Sequence, residues 1–287
     1  MEKLIRLHML LNVFCRDKGW LFEDIKQHFS SDQVEASDLP KPADGWICVR
    51  SSEIKLAPRL DRTIVQVHDL VDHDMNLFNK VAGVSFMHPM QHWMWKRAGF
   101  KGRTLICPIG SREGVVVPDK IPEKPTLGFF CGESQDLRKG GDIFEKAVQL
   151  ARREVTFDCL LIGRNLAAFS SLGVWEDRAA GINDYQKIDV LFCASTSPAV
   201  PLSVYEAQRA GKIVISTPRW LPSGNWPGIR FGDSYRELSR LIVKAVKSRE
   251  KNFDNRNFLA RSPYLLEGWV KKNIDFSIKC ISQESKI

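Results

Sequence analysis

The sequence predicts an α/β protein of two Rossmann-like units, residues 1–117 and 118–287. Three observations predict it. Through the second half, short apolar runs ending in Gly, Ser or Thr alternate with stretches of 3.6-residue period, the pattern of βαβ units around a parallel sheet. A second series of the same kind occupies the first 115 residues. The length, 287 residues, exceeds what one hydrophobic core usually encloses.

In the first unit, Leu4–Leu11 is apolar enough for a first strand, and Gly19-Trp20-Leu21 opens a helix to Phe29. Trp46–Val49 and Thr63–Val67 read as short strands, and Val84–Phe86 as another that leads into a helical stretch from about Pro89. Leu105–Gly110 closes the unit. Val117–Pro125, VPDKIPEKP, holds three prolines and alternating charges in nine residues, which suits an exposed, extended linker.

In the second unit, Thr126–Gly132 reads as a buried strand ending in Gly, and Glu133–Gly141 as a polar loop. Asp142 is expected to cap a helix whose apolar Ile143, Phe144, Ala147, Val148 and Ala151 follow the helical period. Phe157–Gly163, Ile188–Ala194, Lys212–Thr217 and Ile229–Phe231 are the next strands, followed by an amphipathic helix from about Ser234 to Val246. Ligands of parallel sheets bind outside the carboxyl ends of the strands, so Gly132, Gly163, Ser195 and Thr217 are expected to gather at one site. A final helix spans about Leu266–Cys280.

Hydrophobic residues make up 44% of the chain without any low-complexity run, so it is expected to be globular throughout. No stretch approaches the roughly 18–20 apolar residues of a membrane span. The opening MEKLIRLHMLLNVFCRDKGW is interrupted by Arg6 and His8 and lacks a small-residue cleavage site, so it reads as a strand and not a signal peptide. Seven cysteines lack CxxC spacing, and Cys107, Cys131, Cys159 and Cys193 fall inside apparent strands. They read as buried thiols in a reducing cytosol, which places the chain in the cytoplasm and argues against a zinc or disulfide framework.

The net charge is +8, with 16 basic against 14 acidic residues in 1–117 and 26 against 20 in the rest. Between Lys244 and Lys272 the balance is 8 against 3. A basic face of this kind suits a phosphate-rich acceptor, anionic lipid headgroups or nucleic acid, and equally a solvated helix surface. Trp93-Met94-Trp95-Lys96-Arg97 adds aromatic residues that cannot all face one core. At least one ring is expected outside it, as a stacking or membrane-interface surface or a contact between domains.

The most informative stretch is Ile188–Gly211, IDVLFCASTSPAVPLSVYEAQRAG, a strand, a loop and a helix opening with Pro201-Leu202-Ser203 and carrying Glu206 in its first turn. A helix N-terminus at a parallel sheet edge offers unpaired N–H groups and a positive dipole end, a natural seat for a diphosphate. Ser203-x-x-Glu206 also reads as a capping box, in which the Ser side chain and the Glu satisfy cap amides.

Together with Lys139-Gly140 after the first strand of this unit, Ser195, Glu206-Ala207 and Ala210-Gly211-Lys212, the pattern resembles the C-terminal half of the retaining, two-domain (GT-B) glycosyltransferases that use nucleotide sugars. The Leu105–Gly110 run is similar to the family's exit from its first domain, and His68 to a histidine that lines the interdomain cleft. The resemblance implies two Rossmann-like domains facing a cleft, with the C-terminal helix crossing back onto the first. It implies that Glu206 holds the donor ribose, that amides around Leu202 and Ser203 face the pyrophosphate, and that Lys139 with Arg138 neutralises it. Gly132 would let the backbone approach the donor, with Gly163 and Arg164 at the next strand end, and His68 would meet the transferred sugar or the acceptor. Two positions depart from the family: Glu133 stands where an Arg is usual, and Pro198 where a second Glu precedes Glu206 by eight.

His68-Asp69-Leu70-Val71-Asp72-His73-Asp74 is dense enough in metal-ligating groups to be weighed as a metal site, and Asp72-His73-Asp74 is formally a D-x-D. Two successive α/β units argue against the fold in which that motif binds metal, so no metal is expected. There is no GxSxG, GxxxxGK[ST], HExxH or GxGxxG. The expectation is a metal-independent glycosyltransferase that moves a sugar from a UDP- or GDP-sugar to a glycan, a lipid-linked sugar or another large acceptor, with no further cofactor. Peripheral membrane contact is compatible with it. Two alternatives stand beside it: a phage-type enzyme that glycosylates modified DNA bases, and a non-catalytic scaffold on the same fold, for which Glu133 and Pro198 speak.

Overall fold

The computed structural model of the protein describes residues 9–16, 25, 28–29, 31–68, 74–112, 114–133, 139–164, 166–195, 201–217, 227–260 and 265–284. The chain divides into two compact units, Met1–Ile109 with Leu266–Ile287, and Gly110–Leu265. The exchange between them falls at Gly110, so Val117–Pro125 belongs to the second.

Unit 1 is a six-stranded parallel sheet of order β2-β1-β3-β4-β5-β6. Its strands are β1 (Leu11–Phe14), β2 (Val34–Ser37), β3 (Gly45–Cys48), β4 (Thr63–Val67), β5 (Gly83–Phe86) and β6 (Thr104–Ile106). One face buries Phe14, Trp46, Cys48, Val65, Val67, Val84 and Phe86 with Phe78 of the short helix α1 (Met75–Phe78) and Trp95 of α2 (Pro89–Arg97). Trp95 meets Phe78, Phe86 and Phe100 edge-on at 4.8, 5.2 and 5.7 Å, an arrangement that aligns ring edges with ring faces. The C-terminal helix, Leu266–Glu284, packs on β3, β4 and β5. A side chain on Gly83 would collide with Phe276 of that helix at 2.9 Å. Trp269 Nε1 donates to the Cys107 carbonyl at 3.1 Å, and Arg103 to that of Cys280 at 2.8 Å.

Two readings differ here, and a third is tested only in part. Among the described residues the first strand is Leu11–Phe14, whose four buried residues pair in register with both Val34–Ser37 and Gly45–Cys48, while Met9 and Leu10 of the expected Leu4–Leu11 precede it; Met1 to His8 lie outside the described residues. Of the helix expected from Gly19, Ile25, His28 and Phe29 are helical and the rest lies outside the described residues. The polar run Val34–Ser37 gave no apolar signal, yet it is a strand. Asn12, fully buried in β1, donates to the Glu35 carbonyl and Ser37 Oγ, both at 2.9 Å, and holds that edge in place.

Unit 2 is also a six-stranded parallel sheet, of order β12-β11-β10-β7-β8-β9. It contains β7 (Thr126–Glu133), β8 (Asp158–Arg164), β9 (Val174–Glu176), β10 (Val190–Cys193), β11 (Ile213–Ser216) and β12 (Ile229–Phe231). Helices α3 (Gly141–Ala151), α4 (Leu202–Arg209) and α5 (Tyr235–Lys247) cover it. Phe129 stacks on Phe144 at 4.4 Å, and Phe192 closes the group at 5.2 Å from Phe144. Ser234 caps α5, its side chain accepting from the Glu237 amide at 3.3 Å. The three-residue edge strand β9, with Val174 exposed, was too short to read from sequence.

Two helix starts differ from expectation. Asp142 does not cap α3: the cap position is Gly140 in a left-handed conformation, with no side-chain cap bond. On α4 the capping box does not form. Pro201 holds the cap position with its φ of −67°, so Ser203 is already the second helical residue and Glu206 the fifth, in the second turn. All seven cysteines are buried. Among the described residues, no helix is long and apolar enough to cross a membrane.

Candidate functional site

From β7 the chain of unit 2 moves outward to β8 and β9, then returns to lay β10 on the other side of β7. Ligands of open parallel sheets bind at such a switch point, outside the carboxyl ends of the strands. The ends of β8, β7, β10 and β11 are neighbours there, and Thr217 Oγ1 donates to the Ser195 carbonyl at 2.9 Å.

Lys139 and Gly140 arrive at this point from the β7–α3 loop. Gly140 has φ of 70°, and a Cβ on it would lie 2.3 Å from the Ala194 carbonyl oxygen. Only glycine lets the start of α3 sit against the end of β10. The eleven-residue helix begins without a side-chain cap, so its first N–H groups are free of that competitor. Next to Ala194, Ser195 is buried, and its Oγ has no hydrogen-bond partner among the described residues, a costly state for a polar atom unless something else meets it. Burial raises the Cys193 thiol to about 11, opposed first by a hydrogen bond from the Ser195 amide and then by the Lys139 charge.

At β8, Gly163 has φ of 155°, and a Cβ there would lie 1.7 Å from the Cys131 carbonyl oxygen. This close backbone approach coincides with the shift of register between β7 and β8, after which Glu133 pairs with Arg164. Gly132 is the next-to-last residue of β7, and the Arg164 side chain is exposed at the end of β8. Arg138 and Pro198 lie outside the described residues.

Glu206 is 1% exposed on α4. Arg112 grips it with two donors: Nε pairs with Oε1, and a terminal nitrogen donates to Oε2 at 3.2 Å. Tyr185 Oη donates to Oε2 at 2.6 Å. The same arginine donates to the Ala180 carbonyl at 3.2 Å. Burial, followed by the adjacent Glu206 charge, pushes the Tyr185 hydroxyl well above its ordinary range, so it remains a donor. The segment carrying Tyr185 is itself pinned by Asp184, which accepts from Arg178 at 2.6 and 2.8 Å, Lys187 at 2.9 Å and the Gly181 amide at 2.7 Å. Burial opposes ionisation of Asp184, but these donors together hold its carboxyl at about 2. Leu202 is buried at the start of α4 and Ser203 is half-buried beside it.

Sequence reasoning missed Arg112 and Tyr185. They stand 94 and 21 residues from Glu206, beyond any local pattern. A lone tyrosine among polar residues before a strand was the one available hint.

His68 belongs to unit 1. It follows β4, its ring 6.3 Å from that of Trp269 in an edge-on contact, and its carbonyl accepts from Gln91 Nε2 at 3.3 Å. Beside it, His88 caps α2, its Nδ1 accepting from the Met90 amide at 3.0 Å, while the Gln91 side chain returns to the His88 amide at 3.0 Å. Asp69, Asp72 and His73 lie outside the described residues. Among those described, no three His, Cys, Asp or Glu side chains form a metal-binding group.

No protein-family model matches the sequence, and no curated protein matches it significantly. Solved structures do. WaaG, a glycosyltransferase involved in lipopolysaccharide biosynthesis, superposes with a TM-score of 0.65 at 14% identity over 93% of this chain and 99% of its own. A glycosyltransferase from Rickettsia africae ESF-5 gives 0.65 at 12% identity over 98% and 92%. A variant of S. aureus TarM, in complex with UDP and α-GlcNAc-glycerol among other ligands, gives 0.65 at 11% identity over 82% of this chain. The chain spans only 56% of the TarM chain. At these identities the likeness concerns the fold: this chain has the GT-B architecture of two parallel α/β units.

Proposed function

We propose that this protein is a glycosyltransferase that binds a nucleoside-diphosphate sugar on unit 2 and transfers the sugar, with retention, to a large acceptor such as a glycan or a lipid-linked sugar. The observation that carries this is the N-terminus of α3, without a side-chain cap and seated by Gly140 on Ala194, beside the buried Ser195 Oγ, which has no partner among the described residues, and next to Lys139. A cation, helix amides and a spare hydroxyl at a switch point form a seat for a diphosphate. TarM, which shares the fold, binds UDP, and a UDP- or GDP-sugar is the donor we assign.

In the reaction the bond from the anomeric carbon to the diphosphate oxygen breaks and negative charge grows on the leaving diphosphate, while an acceptor hydroxyl bonds to that carbon and passes its proton to the departing diphosphate oxygen. Lys139, with Arg138, and the α3 and Leu202-Ser203 amides stabilise that charge without a metal. Gly132 and Gly163 keep the strand ends low enough for the donor, beside Arg164. Glu206 takes a ribose hydroxyl. A carboxylate offers about four lone-pair directions; among the described residues Arg112 and Tyr185 fill three, which leaves one on Oε1. His68, on unit 1, hydrogen-bonds the transferred sugar or the acceptor.

The test is a thermal-shift screen against UDP, GDP, ADP, CMP and dTDP with their common sugars, followed by donor hydrolysis with the ligand that binds. A ligand at about 100 times its dissociation constant stabilises by about 2.7 kcal/mol. One nucleotide should shift the wild type and not Glu206→Ala. Lys139→Ala should lower donor hydrolysis about 10²–10³-fold with its melting temperature unchanged. No shift with any nucleotide would overturn the proposal and leave a scaffold on this fold.

A further inference from the structure

Helix α2 presents two distinct faces. Gln91 and Trp95 point inward, and Trp95 anchors the aromatic cluster of unit 1. Met90, Trp93, Met94 and Arg97 recur at the i, i+3, i+4, i+7 spacing of a second stripe. All four are exposed, the apolar three at 44%, 52% and 40%. The Arg97 guanidinium lies over the Trp93 ring at 4.8 Å, so the stripe ends in a stacked cation. Scattered apolar side chains on a surface are ordinary, but two methionines and a tryptophan aligned on one helix face form a contiguous patch.

The patch is set among positive charge. Between Asp74 and Glu113 the sequence has no acidic residue, while Lys80, Lys96, Arg97, Lys101 and Arg103 all fall in the unit 1 part of it. Asn79 draws two loops of this segment together, its Nδ2 donating to the Gly99 carbonyl at 3.1 Å and its Oδ1 accepting from the Lys101 amide at 2.8 Å. Exposed Lys80 and Lys101 thereby flank the C-terminal end of α2, where Lys96 and Arg97 are also exposed.

We propose that this face of α2 docks unit 1 on an anionic lipid surface. Met90, Trp93 and Met94 enter the boundary between headgroups and acyl chains, and Lys80, Lys96, Arg97 and Lys101 meet the lipid phosphates. Tryptophan favours this depth because its ring is apolar and its N–H polar. A helix lying in the interface binds through buried apolar area plus attraction to anionic lipid. Duplex nucleic acid would attract the cations but offers nothing for Met90 and Met94 to bury against. A two-fold contact with a second copy would bring the same cations face to face.

Vesicle flotation of the whole protein tests this, with phosphatidylcholine vesicles carrying or lacking phosphatidylglycerol. The protein should float only with the anionic vesicles, and less so at high salt. Each cation removed from such a surface weakens binding about fivefold, so Lys96→Glu with Arg97→Glu should weaken it more than about 25-fold. Trp93→Ser with Met94→Ser should abolish flotation, and because these side chains are exposed both pairs should keep the wild-type melting temperature. Absence of flotation, or flotation indifferent to both pairs, overturns the proposal. So does duplex DNA binding lost in the charge pair and kept in the apolar pair, which assigns the face to nucleic acid, or a dimer dispersed by the apolar pair, which assigns it to a second copy.

Discussion

Among the described residues, unit 2 holds two arginine–carboxylate pairs shielded from solvent, and the groups around them differ in kind. Asp189 stands before β10 at the amino ends of the strands. Its Oδ2 accepts from the Thr126 amide at 2.9 Å, its own amide donates to the Thr126 carbonyl at 2.9 Å, and Oδ1 accepts from Arg249 Nε at 3.0 Å. That pair completes the hydrogen bonding of a strand start, and the fold accounts for it. Among the described residues, no backbone donor meets the Glu206 carboxylate on α4, and the side chains of Arg112 and Tyr185 alone reach it. A carboxylate held by side chains alone, with an acceptor direction to spare, fastens no turn or strand. What it does hold in readiness is its own orientation, which is what ligand recognition requires and folding does not.

The largest effect should come from breaking the arginines. Arg112→Ala leaves a nearly inaccessible charge unpaired, which typically costs about 3–5 kcal/mol, and it should also remove the nucleotide-dependent thermal shift. Arg249→Ala exposes a partner that is less buried, 13% against 1%, and should cost about 2–3 kcal/mol while the shift survives. Denaturant unfolding with and without nucleotide measures both. Loss of the shift in both variants, or in neither, would erase the distinction drawn between the pairs.

Lys212 sharpens the amino-end side of the comparison. Burial lowers its ammonium to about 8 against attraction from Asp189. Below pH 8 the lysine is charged in both states and the fold carries the whole desolvation cost. Stability should therefore rise as pH increases from the folded value of 8 to the ordinary 10.5 and level off above it. Lys212→Met should abolish that slope and stabilise the protein by about 2–3 kcal/mol at pH 7, as read from the difference between the two unfolding curves. A slope unchanged in the variant would show that Lys212 is not its source.

The smallest effect belongs to Tyr185→Phe. It deletes one hydrogen bond to an ionised group and leaves the ring in place, for about 1.5–3 kcal/mol. If Tyr185 orients Glu206, nucleotide affinity should fall together with stability. If it serves folding alone, stability falls and affinity stays.

Much of unit 2 was legible because strands covered on both faces read as continuous apolar runs. Leu127–Cys131, Leu160–Ile162, Val190–Cys193 and Ile213–Ile215 needed no periodicity to be recognised. Unit 1 was less so. Its edge strand Val34–Ser37 carries one buried residue in four, and its β1 was displaced toward the N-terminus by an apolar run that reads equally well. The Trp93-Met94-Trp95 cluster resolved as spacing requires, with Trp95 buried and Trp93 outside.

The amino-acid sequence by itself determined the alternation of strands and helices, the glycines at 140 and 163 that bring strand ends and loops together, and the position of Glu206 after β10. Periodicity and backbone freedom are local properties, written in neighbouring residues. Only the tertiary structure decided where β10 lies relative to β7, that Ser195 Oγ is buried with no partner among the described residues, and that Arg112 and Tyr185 close on Glu206 from 94 and 21 residues away. Contacts at such separations form because the sheet packs as one body. No spacing along the chain records which side chains that packing brings face to face.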